Sequence, residues 1–304
     1  MTKFINSPLF KGAQAKYIRE ISVETIISEY QKHNIDVRHL FKDYKSISIY
    51  ECLKTTYRFY YPFDIDGDSK FYEHLQHFDW YYMPWKWEHE ITKQYLKDGL
   101  NVLEVGCAHG GFLKRITELF DLNEVVGLEL NKTTPVQNPK WKIVNQFVQD
   151  YQKENSNKFD IVCSYQVLEH IWDVHSFIEA KIACLKLGGK LIISVPNNES
   201  FIKDADLSLN MPPHHMGLWD TKSLKSLENV FQIKLVRIHY EELQEYHVGS
   251  YIFFNYYKRY NKIVGKVIRK WHKLVGKYDR IEKEVLSNRK SIVGHTVLVV
   301  FEKL

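Results

Sequence analysis

The sequence predicts an α/β fold on a mostly parallel sheet, and two observations carry that expectation. From about Leu100 to Pro196, short β-rich apolar runs (NVLEVG, EVVGLEL, WKIVN, FDIVCSY and KLIISVP) alternate with amphipathic stretches, which is the pattern of βαβ units. The first run enters a glycine-containing turn, Glu104-Val105-Gly106-Cys107-Ala108-His109-Gly110-Gly111, and the turn opens an amphipathic helix from Phe112 to Phe120. Two more strands follow, FQIKLVRIHY near 231–240 and the closing HTVLVVFEK. Before the sheet, residues 1–70 mix helical-looking stretches (Tyr17 to Lys32) with one strand signal, SISIYEC, and a turn, DIDGDS. Residues 71–92 are dense in aromatics. No internal repeat or low-complexity tract interrupts the chain.

Composition narrows the class. The 304 residues are 44% hydrophobic and 26% charged, ordinary for a globular protein and unlike a disordered or fibrous one. No window reaches the roughly 18 consecutive apolar residues of a membrane span. The first residues, MTKFINSPLFKG, lack the apolar core of a signal peptide. Cys52, Cys107, Cys163 and Cys184 are scattered, so neither a disulfide framework nor a zinc ribbon is expected, and the expected compartment is the cytoplasm. The net charge of +5 is uneven: residues 256–280 hold nine Lys/Arg and one Asp, while the rest holds 33 Lys/Arg against 36 Asp/Glu. A broad nucleic-acid surface is therefore disfavoured, and the basic segment needs its own account.

The glycine turn lets a ligand approach the backbone closely, and the helix after it presents free N–H groups to an anionic group. An ordinary strand–helix turn or a dinucleotide fold would read the same way. The next strand, VVGLEL, ends at Glu129, where nucleoside-binding α/β folds place a carboxylate on the ribose hydroxyls; a solvated acid at a strand end is the plainer alternative. A third motif is Phe159-Asp160-Ile161-Val162-Cys163-Ser164-Tyr165-Gln166-Val167-Leu168-Glu169-His170, followed by LKLGGKLIISVPN.

Together these motifs, over about residues 100–240 and the last strand, resemble a class I S-adenosylmethionine-dependent methyltransferase. The tail Pro212-Pro213-His214-His215-x-x-x-Trp219 is similar to that of relatives in bacterial surface-polysaccharide or secondary-metabolite pathways. The resemblance implies a Rossmann-like sheet of seven strands with the last antiparallel, a helical N-terminal extension (1–75), a cofactor-binding domain (76–240 and 291–304) and a basic helical insertion (241–290). It implies S-adenosylmethionine as cofactor, with S-adenosylhomocysteine as product. Glu104, Gly106, Ala108 and Gly110 would line its methionine and ribose portion, and Glu129 would hold the ribose diol. Val148 and Gln149, in the loop after strand three, would meet the adenine, and Tyr165 and Gln166 the sulfonium. Tyr81 or Tyr82 would reach the carboxylate, unless the aromatic run is plain core. Ala108 replaces the family's usual second glycine.

A neutral hydroxyl is a poor nucleophile, so a general base is expected, and histidine suits neutral pH. His170, His214 and His215 stand where the chain leaves strands four and five, each with a structural hydrogen-bonding role as its alternative. His109 is read as a wall of the cofactor loop and Cys107 as a small turn residue. No metal is expected: the DIDGDS turn has Gly67 at the fourth position of the loop and no glutamate at the twelfth, unlike a calcium loop. The favoured acceptor is a sugar or glycan-precursor hydroxyl. A small-molecule or quinone-type methyltransferase and a non-catalytic binding protein of this fold are the alternatives; an RNA methyltransferase is disfavoured by SYQV standing after strand four.

In the insertion, Phe253, Tyr257, Tyr260, Val264, Val267, Trp271, Leu274, Tyr278, Ile281 and Val285 recur in steps of four and three. That period predicts a helix over 253–285, about 48 Å long at roughly 1.5 Å per residue. It would pack on the N-terminal region, or contact a second subunit or an anionic surface.

Overall fold

The structure is a computed structural model, and it describes residues 2–75, 83–130, 137–203, 208–260 and 262–304. Its centre is a sheet in the order β12-β13-β10-β9-β5-β6-β8-β7. The parallel part comprises β5 (Asn101–Val105), β6 (Glu124–Leu128), β8 (Trp141–Val144), β9 (Phe159–Tyr165) and β10 (Leu185–Pro196). β13 (Val293–Lys303) runs antiparallel between β10 and β12 (Ile233–Glu242). These are the seven expected strands with the last one reversed. The two-residue β7 (Gln137–Asn138) adds an antiparallel edge beyond β8.

The central strands are apolar on both faces because helices cover both sides. Val102, Leu103, Val126, Val162 and Ile192 are all fully buried. The covering helices include α4 (Gly111–Leu119), which buries Phe112, Leu113 and Ile116, and α6 (Val174–Cys184), whose first turn is capped by the Asp173 carboxylate. α3 (Trp87–Lys93) and the short α5 (Val148–Tyr151) and α7 (Thr221–Lys225) complete the layers.

The N-terminal extension corrects the sequence expectation, because it is mainly β. β1 (Phe4–Asn6), β2 (Gln14–Ser22), β3 (Ser46–Cys52) and β4 (Arg58–Tyr61) form an antiparallel sheet. The stretch read as one helix from Tyr17 divides at Ser22: β2 ends there, and the Ser22 hydroxyl caps α1 (Val23–Gln31). Alternating burial along QAKYIREIS explains the strand half. α2 (Ser69–Leu75) closes this region, its Phe71 N–H donating to Asp68 in the DIDGDS turn.

Sheet and extension are joined by the segment after β10. β11 (Gly217–Leu218) pairs with β4, and Trp219 is fully buried with its ring stacked 4.1 Å from that of Tyr57. Trp219→Ala should therefore destabilise the fold by about 3–5 kcal/mol. Urea unfolding would read this as a lower midpoint at unchanged slope, and a midpoint equal to that of the unaltered chain would contradict the packing role.

The insertion is not one long helix but three: α8 (Val248–Tyr260), α9 (Lys262–Leu274) and α10 (Lys277–Asn288). Gly276 sits at φ +67, a left-handed conformation that ends one helix before the next begins. Gly265 lies so close to α8 that a Cβ there would meet the Tyr256 carbonyl at 2.9 Å. The seam residues are thus shared among helices that fold back, and Tyr256 donates or accepts at His272 Nδ1 over 2.6 Å.

Candidate active site

A cavity of about 1030 Å³ opens at the carboxyl ends of β5, β6 and β9, where open α/β sheets receive ligands. Its first lobe is the turn after β5. Gly106 adopts φ +80, and a Cβ on it would stand 2.5 Å from the Val167 side chain, so only glycine fits. Ala108 carries the left-handed φ of +46 without a glycine; its N–H donates to Glu129 Oε2 at 2.8 Å, and Leu130 N–H donates to Oε1. The carboxylate that follows β6 is thereby aimed at the glycine turn.

Glu104 lies beneath this turn, 4% exposed, and burial, aided by the Glu129 charge, pushes its carboxyl up to about 8. Its Oε2 has no hydrogen-bond partner among the described residues. A buried carboxylate oxygen of this kind fits an ammonium group such as the amino group of a methionine moiety. Gly106, Ala108, Glu129, Val148, Gln149, Tyr165 and Gln166 all line the same cavity. Val148 and Gln149 open α5 rather than lying in a loop. Tyr165 is packed against His89 and Phe112. Tyr81 and Tyr82 lie outside the described residues.

Several lining residues escaped the sequence reading. Lys86 and Glu88 enter from the start of α3, and Glu88 is 2% exposed with its carboxyl raised by burial. Leu130 and Phe147 are 53% and 58% exposed at the rim on either side of Glu129. An apolar residue exposed after a strand, as in Asn145-Gln146-Phe147, is the only sequence signal that could have found that rim.

Residues 80–236 match a family model described as a methyltransferase domain, a span of just over half the chain. The chain belongs to the class I S-adenosylmethionine-dependent methyltransferases. Among curated proteins it is 29% identical over 138 residues to a Mycolicibacterium smegmatis protein named as a probable S-adenosylmethionine-dependent methyltransferase, covering 43% of this chain and 52% of that one. It is also 29% identical over 157 residues to the mitochondrial ubiquinone biosynthesis O-methyltransferase of Dictyostelium discoideum, covering 44% and 49%. The chain thus spans about half the length of the curated relatives it matches. A solved S-adenosylmethionine-dependent methyltransferase from Archaeoglobus fulgidus aligns at 18% identity and a TM-score of 0.45, over 70% of this chain and 90% of that one. S-adenosylmethionine is the cofactor of this family, and the donor set around Gly106, Glu104 and Glu129 suits it.

The second lobe of the methyltransferase cavity is walled by histidines. His170 follows β9 in a short 3-10 turn, and its Nδ1 bonds the His214 carbonyl at 2.6 Å. His214 Nδ1 bonds the Leu209 carbonyl at 3.0 Å, and His215 Nδ1 the Asn210 side-chain oxygen at 3.2 Å. With each Nδ1–H donating to an oxygen, each neutral ring carries its lone pair on Nε2. The three ligating nitrogens lie within 4.8 Å of one another, close enough to converge on one small group or one cation. Beside them, Glu169 is 1% exposed and burial pushes its carboxyl up to about 8. Burial lowers all three imidazoles, His170 to about 4.

The N-terminal extension builds this wall. Tyr30 donates to the Met211 carbonyl at 2.8 Å, Tyr60 to the Asn210 carbonyl at 3.1 Å, and Gly67 N–H to the Pro213 carbonyl at 2.9 Å. The Pro-Pro-His-His segment is therefore fixed from both sides, by the turn after β9, where His170 bonds the His214 carbonyl and the Glu169 carbonyl accepts from Met216 N–H, and by the extension.

Proposed function

We propose that the chain methylates a hydroxyl group of a small polar acceptor, a sugar or glycan precursor before any other. The observation that carries this is the continuity of the cofactor lobe with a second lobe walled by His170, His214, His215 and Glu169. S-adenosylmethionine would supply the methyl group. Gly106, Glu104 and Glu129 would hold its methionine and ribose parts, and Leu130 and Phe147 would enclose its adenine. The histidine wall would orient the acceptor oxygen and accept its proton. His170 is the best placed of the three, because it is less buried than the 6% and 5% exposed pair. Trp172, 45% exposed and stacked on Phe63, borders the same lobe and offers the flat apolar face on which sugar rings rest.

The second reading is a phenolic, quinone-type acceptor. It draws on the ubiquinone O-methyltransferase relatives, whereas the density of polar side chains in the acceptor lobe favours the sugar. The domain division expected from the sequence, with residues 241–290 as a basic helical insertion, belongs to the same proposal.

The test is calorimetry with S-adenosylhomocysteine, followed by methyl transfer to panels of sugar nucleotides and catechols. Glu129→Ala should weaken cofactor binding by about 1–3 kcal/mol, because a charged acceptor to the ribose is lost. Unchanged affinity in that variant would reject the cofactor assignment, and transfer to catechols alone would reject the sugar.

A further inference from the structure

The basic insertion turns an apolar stripe outward. On α9, Ile263, Val267, Trp271 and Leu274 are 78%, 64%, 57% and 79% exposed. Their steps of four, four and three put them on one face of a helix. The opposite face is satisfied within the protein: Ile268 joins a cluster with Ile252, Tyr256 and Tyr278, and His272 is buried against Tyr256. Arg269 lies over the Phe253 ring at 4.7 Å, so its charge is also used internally. Lys266, Lys270 and Lys273 are exposed along one border of the stripe, Lys273 with its ammonium 4.8 Å from the Tyr278 ring centre. From 262 to 277 the sequence has six Lys/Arg and no Asp or Glu.

We propose that α9 seats this stripe in the surface of an anionic phospholipid bilayer, lying parallel to the membrane. A helix with an apolar face carrying tryptophan and a border of lysines binds at the headgroup–acyl boundary through buried apolar area plus attraction to anionic lipid. Among the described residues no helix is long and apolar enough to cross a membrane, so the contact is peripheral. Charge decides the occupant. A second copy docking stripe to stripe would bring two acid-free lysine rows together, whereas anionic headgroups neutralise them. The insertion also reaches the cavity, since Tyr246 and His247, just before α8, line it.

The experiment uses the full chain and needs neither cofactor nor acceptor, so its failure would leave the methyl-transfer reading untouched. Flotation is measured with vesicles of phosphatidylcholine alone and of phosphatidylcholine mixed with phosphatidylglycerol. The chain should float with the mixed vesicles only and be released by high salt. Charge reversal at Lys266, Lys270 and Lys273 together should weaken partition by roughly 10²-fold or more, at about fivefold for each lysine lost. Val267→Ser with Trp271→Ser should weaken it with every charge retained. Circular dichroism and cofactor affinity should match the unaltered chain in both variants, because these side chains are exposed and none lines the cavity. No partition of the unaltered chain, or partition indifferent to both variants, overturns the proposal. So does a concentration-dependent dimer that the same variants dissolve, since a second copy would then cover the stripe.

Discussion

Replacing His170 by alanine is expected to lower methyl-transfer turnover by about 10²–10⁴-fold, the usual contribution of a positioned proton acceptor, while cofactor affinity changes little. The ring stands on the acceptor side of the cavity, and its Nδ1 is tied to the His214 carbonyl, which fixes the tautomer. Because burial holds its pKa near 4, the ring is already neutral at pH 6.5. Turnover should therefore not halve there, as it would for an ordinary imidazole. His214→Ala and His215→Ala should act in the same direction, since the three rings pack on one another with centroids 4.5–4.9 Å apart. Stopped-flow or radiolabel transfer assays on folded variants decide it. Near-native turnover in all three would remove the histidine wall from the reaction.

Much of this site was legible because its parts are local in sequence. Gly106 and Ala108 follow β5 directly, Glu129 follows β6, and His170 follows β9, so strand recognition alone brings them to one sheet edge; Gly110, expected to line the cofactor too, instead faces the Trp141 ring. What was not legible is non-local. Tyr30 and Tyr60 reach the Pro-Pro-His-His segment across more than a hundred residues, and no spacing rule announces such a bond. Lys86 and Glu88 stand in a stretch whose only sequence signal was its density of aromatics. The extension was read as helical because Tyr17–Lys32 contains a real helix in its second half, and alternating burial in the first half, QAKYIREIS, was overlooked. The insertion erred for a different reason. Its three-four periodicity is genuine, but periodicity does not report where a chain folds back. Gly265 and Gly276 make a close helix–helix approach and a left-handed break.

Lowering the pH from about 6.5 to 5 is expected to destabilise the fold by several kcal/mol. Six enclosed histidines are the cause. Burial lowers His89 and His295 to about 3, His170 and His247 to about 4, and His214 and His215 in the same direction. The unfolded chain takes up these protons near pH 6.5, and the native state does not until well below. The stability that neutral burial contributes is thus fully present above 6.5 and is lost as pH falls, at up to about 1.4 kcal/mol per pH unit for each ring. Buried carboxyls oppose the trend. Burial pushes Glu104 and Glu169 up to about 8 and Glu241 to about 7, and raises Glu88. Each keeps a proton that the unfolded chain releases above about pH 4.5, so each adds stability as pH falls toward that value. Near pH 5.5 the six histidines outnumber these carboxyls, so the net effect of acid is destabilising. Above pH 6.5 the histidines matter progressively less, and the carboxyls make stability fall as pH rises toward 8, opposed in part by the buried Lys181, which burial lowers to about 7 and which the unfolded chain keeps protonated. A maximum near pH 6.5 follows, because the two sets of groups pull in opposite directions. Urea midpoints taken at half-unit steps from pH 5 to 8 would trace it, and a midpoint that stays level from 6.5 down to 5 would mean that these rings are charged in the native state.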